Sequence, residues 1–192
     1  MLPSFETERL ILRPMRRDDA KAVQQHFAHW EIVKHMSSVV PWPYPAAGAM
    51  QFMEAVVLPN LASGIAGHWA LTLKENSDDA LIGTITLRMN DDKGTHRGFW
   101  LGQPWQRRGL MTEAANTVTD YWFNTLQQPV MRIYNAAEND ASSIIKRRAG
   151  FRLVHTGERD FVCGRLPAET WEITREDWQA RRPHPPRLLN VG

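Results

Sequence analysis

The chain has 192 residues, a usual size for one domain, and its 43% hydrophobic and 23% charged shares exclude wholesale disorder. A net charge of +2 is too small for a general polyanion binder, so nucleic acid is not an expected partner. The single cysteine, Cys163, excludes a disulfide framework and a cysteine-rich zinc site, and no metal is expected.

Residues 1–9 lack the basic and apolar regions of a secretion signal, which points to a cytoplasmic location. Glu8–Arg13 reads as a short strand closed by Pro14. Asp18 or Asp19 then caps a helix carrying Ala22, Val23 and Phe27. Three prolines within Val39–Pro45 impose an extended loop. Ala46–Leu61 places Met50, Met53, Val57 and Leu61 on one helical face. Its apolar run Ala55–Leu58 is the longest in the chain, far below the roughly 20 residues that cross a bilayer, so no membrane partner is expected.

His68–Lys74, Leu81–Asn90 and Arg97–Leu101 read as an antiparallel meander joined by polar turns, with Gly94 suited to positive φ. The period then changes. Leu110, Ala114, Val118, Tyr121 and Trp122 mark a long helix from about Gly109 to Leu126. Val130–Ala137 is a strand, and Asn139 or Asp140 caps a helix ended by Gly150, with Ala141, Ile144, Ile145 and Ala149 inward. Phe151–Val162 and Leu166–Thr174 form a last hairpin with Trp171 and Ile173 inward. Residues 1–178 thus read as one domain, and 179–192 as a tail rich in proline and arginine. Antiparallel strands around a strand–helix–strand crossover make the class α+β.

The stretch Gly98–Ala114 carries the chemistry: a strand, a glycine-containing loop, then the first turn of the long helix. A helix start leaves its N–H groups unpaired and partly positive, which suits a phosphate. Arg107 and Arg108 add full charges there, and Gly109 permits close approach. A plain strand–loop–helix with a solvated arginine pair would read the same way. Neither a P-loop nor a dinucleotide fingerprint is present.

A second stretch narrows the choice. Gln106-Arg107-Arg108-Gly109-Leu110-Met111 is similar to the Gln/Arg-x-x-Gly-x-Gly/Ala loop of the GNAT superfamily of acetyl-coenzyme A-dependent N-acetyltransferases. Asn139, Ser142, Gly150 and Phe151 resemble the same family's Asn-x-x-Ser/Ala helix running into Gly-Phe. Thr7–Arg13, Gly98–Leu101 and the Leu-Met-Thr-Glu-Ala helix start look like its RimJ/RimL-type branch, which acetylates protein N-termini. The chain departs from the pattern at Arg107 and Met111, where glycine or alanine is common. His96 stands where many relatives have an acidic residue, and Lys146 where many have a tyrosine acid.

The resemblance implies a central, mostly antiparallel sheet of six to seven strands with a parallel splayed pair, flanked by about four helices. It implies acetyl-CoA as cosubstrate, with Leu101 and Gly102 offering backbone groups to pantetheine and an N–H near Trp100 holding the oxyanion. The pyrophosphate loop would comprise Gln106, Arg107, Arg108, Gly109, Leu110, Met111 and Thr112. Asn139 would bond pantetheine, and Lys146 or Arg147 would reach the adenosine phosphates. Ser142 is the candidate proton donor to sulfur, or only a helix-start cap; His96 is the candidate base, or only a turn histidine. Trp30, His35, Trp42 and Tyr44 would line the acceptor side, or only pack as a lid. The expected acceptor is a protein N-terminal amine, with a small-molecule amine or a silent acyl-CoA sensor as alternatives, in a monomer or homodimer.

Overall fold

The computed structural model describes residues 2–76, 78–89 and 94–181, together with the backbone of 188–189. Two strands open the chain, β1 (Ser4–Glu6) and β2 (Leu10–Pro14). The β2 register ends at Pro14, as the missing N–H requires. Asp19 then secures the first helix, α1 (Ala20–Phe27): its Oδ2 accepts the Arg16 N–H at 2.8 Å, and its carboxylate takes Arg13 at 2.7 and 2.9 Å. A one-turn α2 (Trp30–Val33) leads into the proline loop.

The helix expected over Ala46–Leu61 is a single rod with a wider turn in its middle. It comprises α3 (Gly48–Phe52), a π segment Met53–Val57, and α4 (Leu58–Ser63). Met53 and Val57 are fully buried, as their spacing predicts. The meander follows as β3 (Ala66–Leu73), β4 (Leu81–Arg88) and β5 (Arg97–Leu101). Part of the turn expected at 90–94 lies outside the described residues, and Gly94 does take φ +70°. Next come α5 (Leu110–Asp120), continued by a π turn through Thr125, then β6 (Val130–Ala136) and α6 (Asp140–Ala149). The hairpin β7 (Arg152–Phe161) and β8 (Gly164–Thr174) precedes α7 (Arg175–Arg181). Helix α7 runs past the expected domain end at 178, with Trp178 buried and Gln179 bonded to Asn124 at 3.0 Å. The segment β9 (Leu188–Leu189), expected as tail, pairs with β1.

The strands form two sheets instead of one. The larger has the order β5-β4-β3-β2-β1-β9, and the smaller β6-β8-β7, with every recorded pairing antiparallel. Edge strands β5 and β6 meet at their starts, where the His96 N–H donates to the Arg132 carbonyl at 2.8 Å. Beyond that joint no ladder connects them among the described residues, which is the splayed pair the resemblance implied.

The large sheet is buried on both faces. Trp69, Leu71, Ile85 and Leu87 face α5, packing with Val118 and Trp122. Ala70 and Leu81 face α1 and the broken rod, packing with Val23, Phe27, Met53 and Val57. Two-sided burial explains why β3 and β4 carry apolar or small residues at nearly every position.

Gly83 on β4 shows how tightly β5 is held. A Cβ there would stand 2.5 Å from the Trp100 carbonyl oxygen and 3.0 Å from Leu101 Cα. Gly83→Ala is therefore expected to cost about 1–3 kcal/mol, since backbone must move to admit one methyl group. Urea unfolding checks this, and an unchanged midpoint would contradict the close approach.

Candidate active site

The joint between the sheets is built by backbone and by His96. Its carbonyl accepts the Arg88 N–H at 2.9 Å, its Nδ1 accepts the Arg132 N–H at 2.9 Å, and its ring stacks on Trp122 at 4.9 Å. An imidazole whose acceptor nitrogen holds a backbone N–H carries its proton on the other nitrogen, so it has no lone pair to offer an amine. The expectation that His96 is the base is replaced by a structural role at the narrow end of the gap.

The β4–β5 register decides which amides face that gap. Trp100 pairs with Thr84, and the Gly102 N–H donates to the Ile82 carbonyl at 2.9 Å. Antiparallel strands alternate, so the Trp100 and Gly102 N–H groups belong to the β4 ladder while those of Phe99 and Leu101 point away from it. The N–H groups near Trp100 that are free of the β4 ladder are therefore those of Phe99 and Leu101, while the Gly102 N–H is spent on Ile82. The Leu101 carbonyl is held by Gln106 Nε2 at 2.8 Å.

After β5 the chain makes a short 3₁₀ turn at Gln103–Trp105 and enters the loop. Arg107 has φ +59° and Gly109 φ +81°, both left-handed. Glycine meets this conformation without strain, whereas Arg107 adopts it at a cost of about 1 kcal/mol. The consequence is an amide nest. From Arg107 to Thr112 no N–H has an acceptor among the described residues, and the first helical bond of α5 is Glu113 N–H to the Gly109 carbonyl at 3.1 Å. Gln106, Arg107, Arg108 and Gly109 are exposed, and Leu110 and Met111 anchor the helix in the core.

Glu113 holds this loop, a role beyond the dipole partnership its position suggests. Its Oε1 accepts from Thr7 Oγ1 and, at 2.9 Å, from the Arg9 N–H; Arg9 Nε and Nη2 reach Oε2 at 2.9 and 2.8 Å. Arg9 Nη1 also bonds the Arg108 carbonyl at 2.8 Å. Burial would raise the Glu113 pKa, but the bonds from Thr7 and Arg9 and the charge of Arg9 outweigh it and hold it below the ordinary value. Only the pairing of remote segments reveals this; in the sequence, Thr7 and Glu113 are 106 positions apart.

On the opposite wall, Asn139 caps α6, its Oδ1 accepting the Ser142 N–H at 3.2 Å. The inward face of α6 differs from expectation. Ser142, Ser143 and Lys146 are buried; of the residues expected inward, Ala141 and Ile144 are exposed, whereas Ile145 and Ala149 are half-buried against the core. The face meets polar groups: Ser143 Oγ donates to Glu169 at 2.9 Å and accepts from Asn135 Nδ2 at 2.9 Å. Lys146 Nζ lies 2.6 Å from Ser142 Oγ and is wholly buried, so it cannot serve adenosine phosphates as expected. Arg147 is exposed and its guanidinium lies over the Trp171 ring at 5.6 Å. A recess between α5, α6 and α7 is lined by Asn116 and Arg148, which places a further cation beside Arg147.

The acceptor-side residues fall into two groups. Trp30 stacks with Trp42 at 5.3 Å, both well exposed. Tyr44 packs on Phe27 at 5.2 Å, and Phe27 on Trp100 at 5.3 Å, so an aromatic chain ties the proline loop to β5. Burial raises the Tyr44 pKa. His35 Nε2 bonds Glu138 at 2.7 Å, bridging α2 to the residue before Asn139. Cys163 shares a 4.8 Å cluster with them, but two ligands on tetrahedral zinc stand about 3.3 Å apart, so the short His35–Glu138 contact is a hydrogen bond.

Residues 9–152 match the family described as an acetyltransferase (GNAT) domain. Over 127 residues, 65% of this chain and 68% of the relative, the chain is 29% identical to an uncharacterized N-acetyltransferase p20 of Bacillus licheniformis. It superposes on the ribosomal-protein-S5-alanine acetyltransferase of Vibrio fischeri with a TM-score of 0.74 at 16% identity, covering 91% of this chain and 98% of the other. RimL, a ribosomal L7/L12 alpha-N-protein acetyltransferase solved with coenzyme A, gives a TM-score of 0.74 at 14% identity, covering 89% and 97%. At these identities the two structures share its fold.

Glu113→Gln keeps the shape and removes the charge, and is expected to cost about 1 kcal/mol at neutral pH. Because the folded carboxyl titrates below its unfolded value, the wild-type advantage is complete above the ordinary carboxylate range. It fades as pH falls through the depressed value, so the two proteins converge in acid. Denaturant titrations at pH 7 and pH 3 check both parts.

Proposed function

The chain belongs to the GNAT acetyltransferase family and is an acetyl-CoA-dependent acetyltransferase; on that premise we propose that it acetylates a protein N-terminal α-amine by direct transfer. The observation that carries the reading is the run of unpaired amides from Arg107 to Thr112, two of its residues left-handed, at the start of α5. Six N–H groups and two adjacent guanidinium groups suit a diphosphate, which supplies the negative charge that they lack. The Leu101 N–H, which points away from β4, and the side-chain amide of Asn139 at the start of α6 are the groups offered to an extended pantetheine amide. Arg147 and Arg148 supply cations for the adenosine end.

Bound acetyl-CoA brings an activated acetyl thioester; the protein has to orient it, hold the developing negative oxygen and move one proton. The Phe99 and Leu101 N–H groups are the donors for the oxygen. Ser142, at the mouth of α6 and 9% exposed, is the donor to sulfur. A free α-amine has a pKa near 8, so about a tenth is already neutral at pH 7, whereas a lysine amine near 10.4 needs a far stronger base. A site whose histidine is committed to backbone suits the first acceptor better than the second.

The exposed Trp30–Trp42 pair and the Tyr44–Phe27–Trp100 chain form an apolar lip beside β5, fitting the first residues of an extended peptide. The structural relatives named as ribosomal-protein acetyltransferases, one of them an alpha-N-protein acetyltransferase, support the same acceptor class. No helix among the described residues is long and apolar enough to cross a membrane.

Gly109→Glu places bulk and negative charge in the amide nest and is expected to weaken coenzyme A at least a hundredfold in calorimetry. Unchanged affinity would remove the loop from the binding site. Wild-type protein is expected to release thiol with peptides bearing a free N-terminus and not with N-blocked copies carrying lysine. Turnover confined to polyamines or amino acids would instead assign a small-molecule acceptor, and binding without turnover a sensor.

A further inference from the structure

Lys146 is the least expected side chain in the molecule. It is 0% exposed, and its Nζ has two recorded partners, Ser142 Oγ at 2.6 Å and the Ser142 carbonyl at 3.3 Å. No carboxylate pairs with it among the described residues. The charged groups that face it are Arg97 from β5 and Glu169 from β8. Glu169 is already engaged, accepting from Ser143 Oγ at 2.9 Å and from Trp171 Nε1 at 3.2 Å.

Arg97 is 2% exposed, bonded to the Ala115 carbonyl at 3.2 Å and Thr119 Oγ1 at 2.5 Å, with no partner for Nε or Nη2 among the described residues. Two adjacent buried cations are too costly to keep, and a guanidinium holds its proton more firmly than an ammonium. Burial first, then the charge of Arg97, push Lys146 well below the ordinary lysine value, with Glu169 opposing. Of the two, Lys146 is the easier to discharge, and an amine that has given up its proton 2.6 Å from a hydroxyl is a proton acceptor.

We propose that Ser142 and Lys146 form a two-residue proton relay serving the transfer reaction, an inference that rests on the acetyl-transfer reading above. As the attacking nitrogen bonds to the acetyl carbon, it must lose one proton; as the carbon–sulfur bond breaks, sulfur must gain one. Ser142 Oγ takes the proton from nitrogen while passing its own to Lys146 Nζ. The reverse movement through Ser142 then delivers a proton to sulfur, and both side chains return to their starting state. The relay fills the place left by His96 with groups on one helix, four residues apart. Lys146 touches no substrate and acts through Ser142.

The test compares Lys146→Met, Lys146→Arg, Ser142→Ala and Ser142→Ala/Lys146→Met with wild type. Each single variant is expected to lose at least tenfold in kcat, with KM for the amine and coenzyme A affinity within twofold. The acid limb of the kcat–pH profile is expected to change in Lys146→Met. Arginine cannot go neutral, so Lys146→Arg should be as slow as Lys146→Met. The double variant should fall no further than the slower single one. A kcat within twofold of wild type in Lys146→Met, or multiplicative losses in the double variant, would overturn the relay. A measurement on wild type needs no substitution: ¹⁵N-lysine labelling should show one neutral side-chain amine at pH 7. Finding every lysine charged would overturn the relay alone, whereas absence of coenzyme A binding and acetylation by wild type would sink the transfer reading with it.

Discussion

Two neighbouring strands that start together and are denied a common ladder are the constraint on which this protein depends. Had β5 and β6 paired along their length, their edge amides would be spent on each other, as sheet edges normally are. The two strands bond at His96 and Arg132 and carry no ladder beyond that joint among the described residues, and the Trp122 ring lies against the histidine. Everything ascribed to the site follows from the outward amides of Phe99 and Leu101 and the wall formed by α6. A buried sheet covered on both faces can tolerate such an opening because its stability is supplied elsewhere, by Trp69, Leu71 and Ile85 on one side and Met53 and Val57 on the other.

The second requirement is a loop that leaves its donors empty without collapsing. A run of six unpaired N–H groups has every reason to tighten into extra turns or to bond nearby side chains. Here the loop is held from outside, through Arg9 on the Arg108 carbonyl and Glu113 on the turn between β1 and β2. The acidic residue in the first turn therefore favours the helix dipole and also ties the nest to the β1–β2 turn. Arg107 pays in backbone strain for a conformation that glycine would take freely, so its guanidinium is retained at a position that geometry alone would give to glycine.

The third feature is the polar underside of α6. A helix that turns serines and a lysine inward and leaves Ile144 in water contradicts its apolar pattern, and such a contradiction marks function more often than error. The network of Asn135, Ser143 and Glu169 satisfies part of that face; Ser142 and Lys146 form the rest, with Arg97 setting the charge that the interior can hold.

Local rules were enough for much of this. Proline stops, capping residues and alternating or helical spacing located the meander, α5, α6 and the last hairpin within a residue or two, and the glycine–arginine loop announced an anion site. The segments carrying Trp30, Trp42 and Tyr44 were legible as an aromatic loop, though not their stacking partners. What the sequence could not contain was the pairing of distant parts: Thr7 and Arg9 with Glu113, His35 with Glu138, Arg97 with Lys146. Hydrophobic periodicity reports how a segment meets an apolar core, so on α6 it found Ile145 and Ala149 but misplaced Ala141 and Ile144, because much of the inward face meets polar groups from β6 and β8. A histidine's role likewise depends on which hydrogen bond occupies its ring, and only the meeting of β5 with β6 decided that for His96. Sequence set the elements and the kind of ligand, while tertiary structure chose the groups left unpaired to act, because burial and partnership are properties of the folded whole.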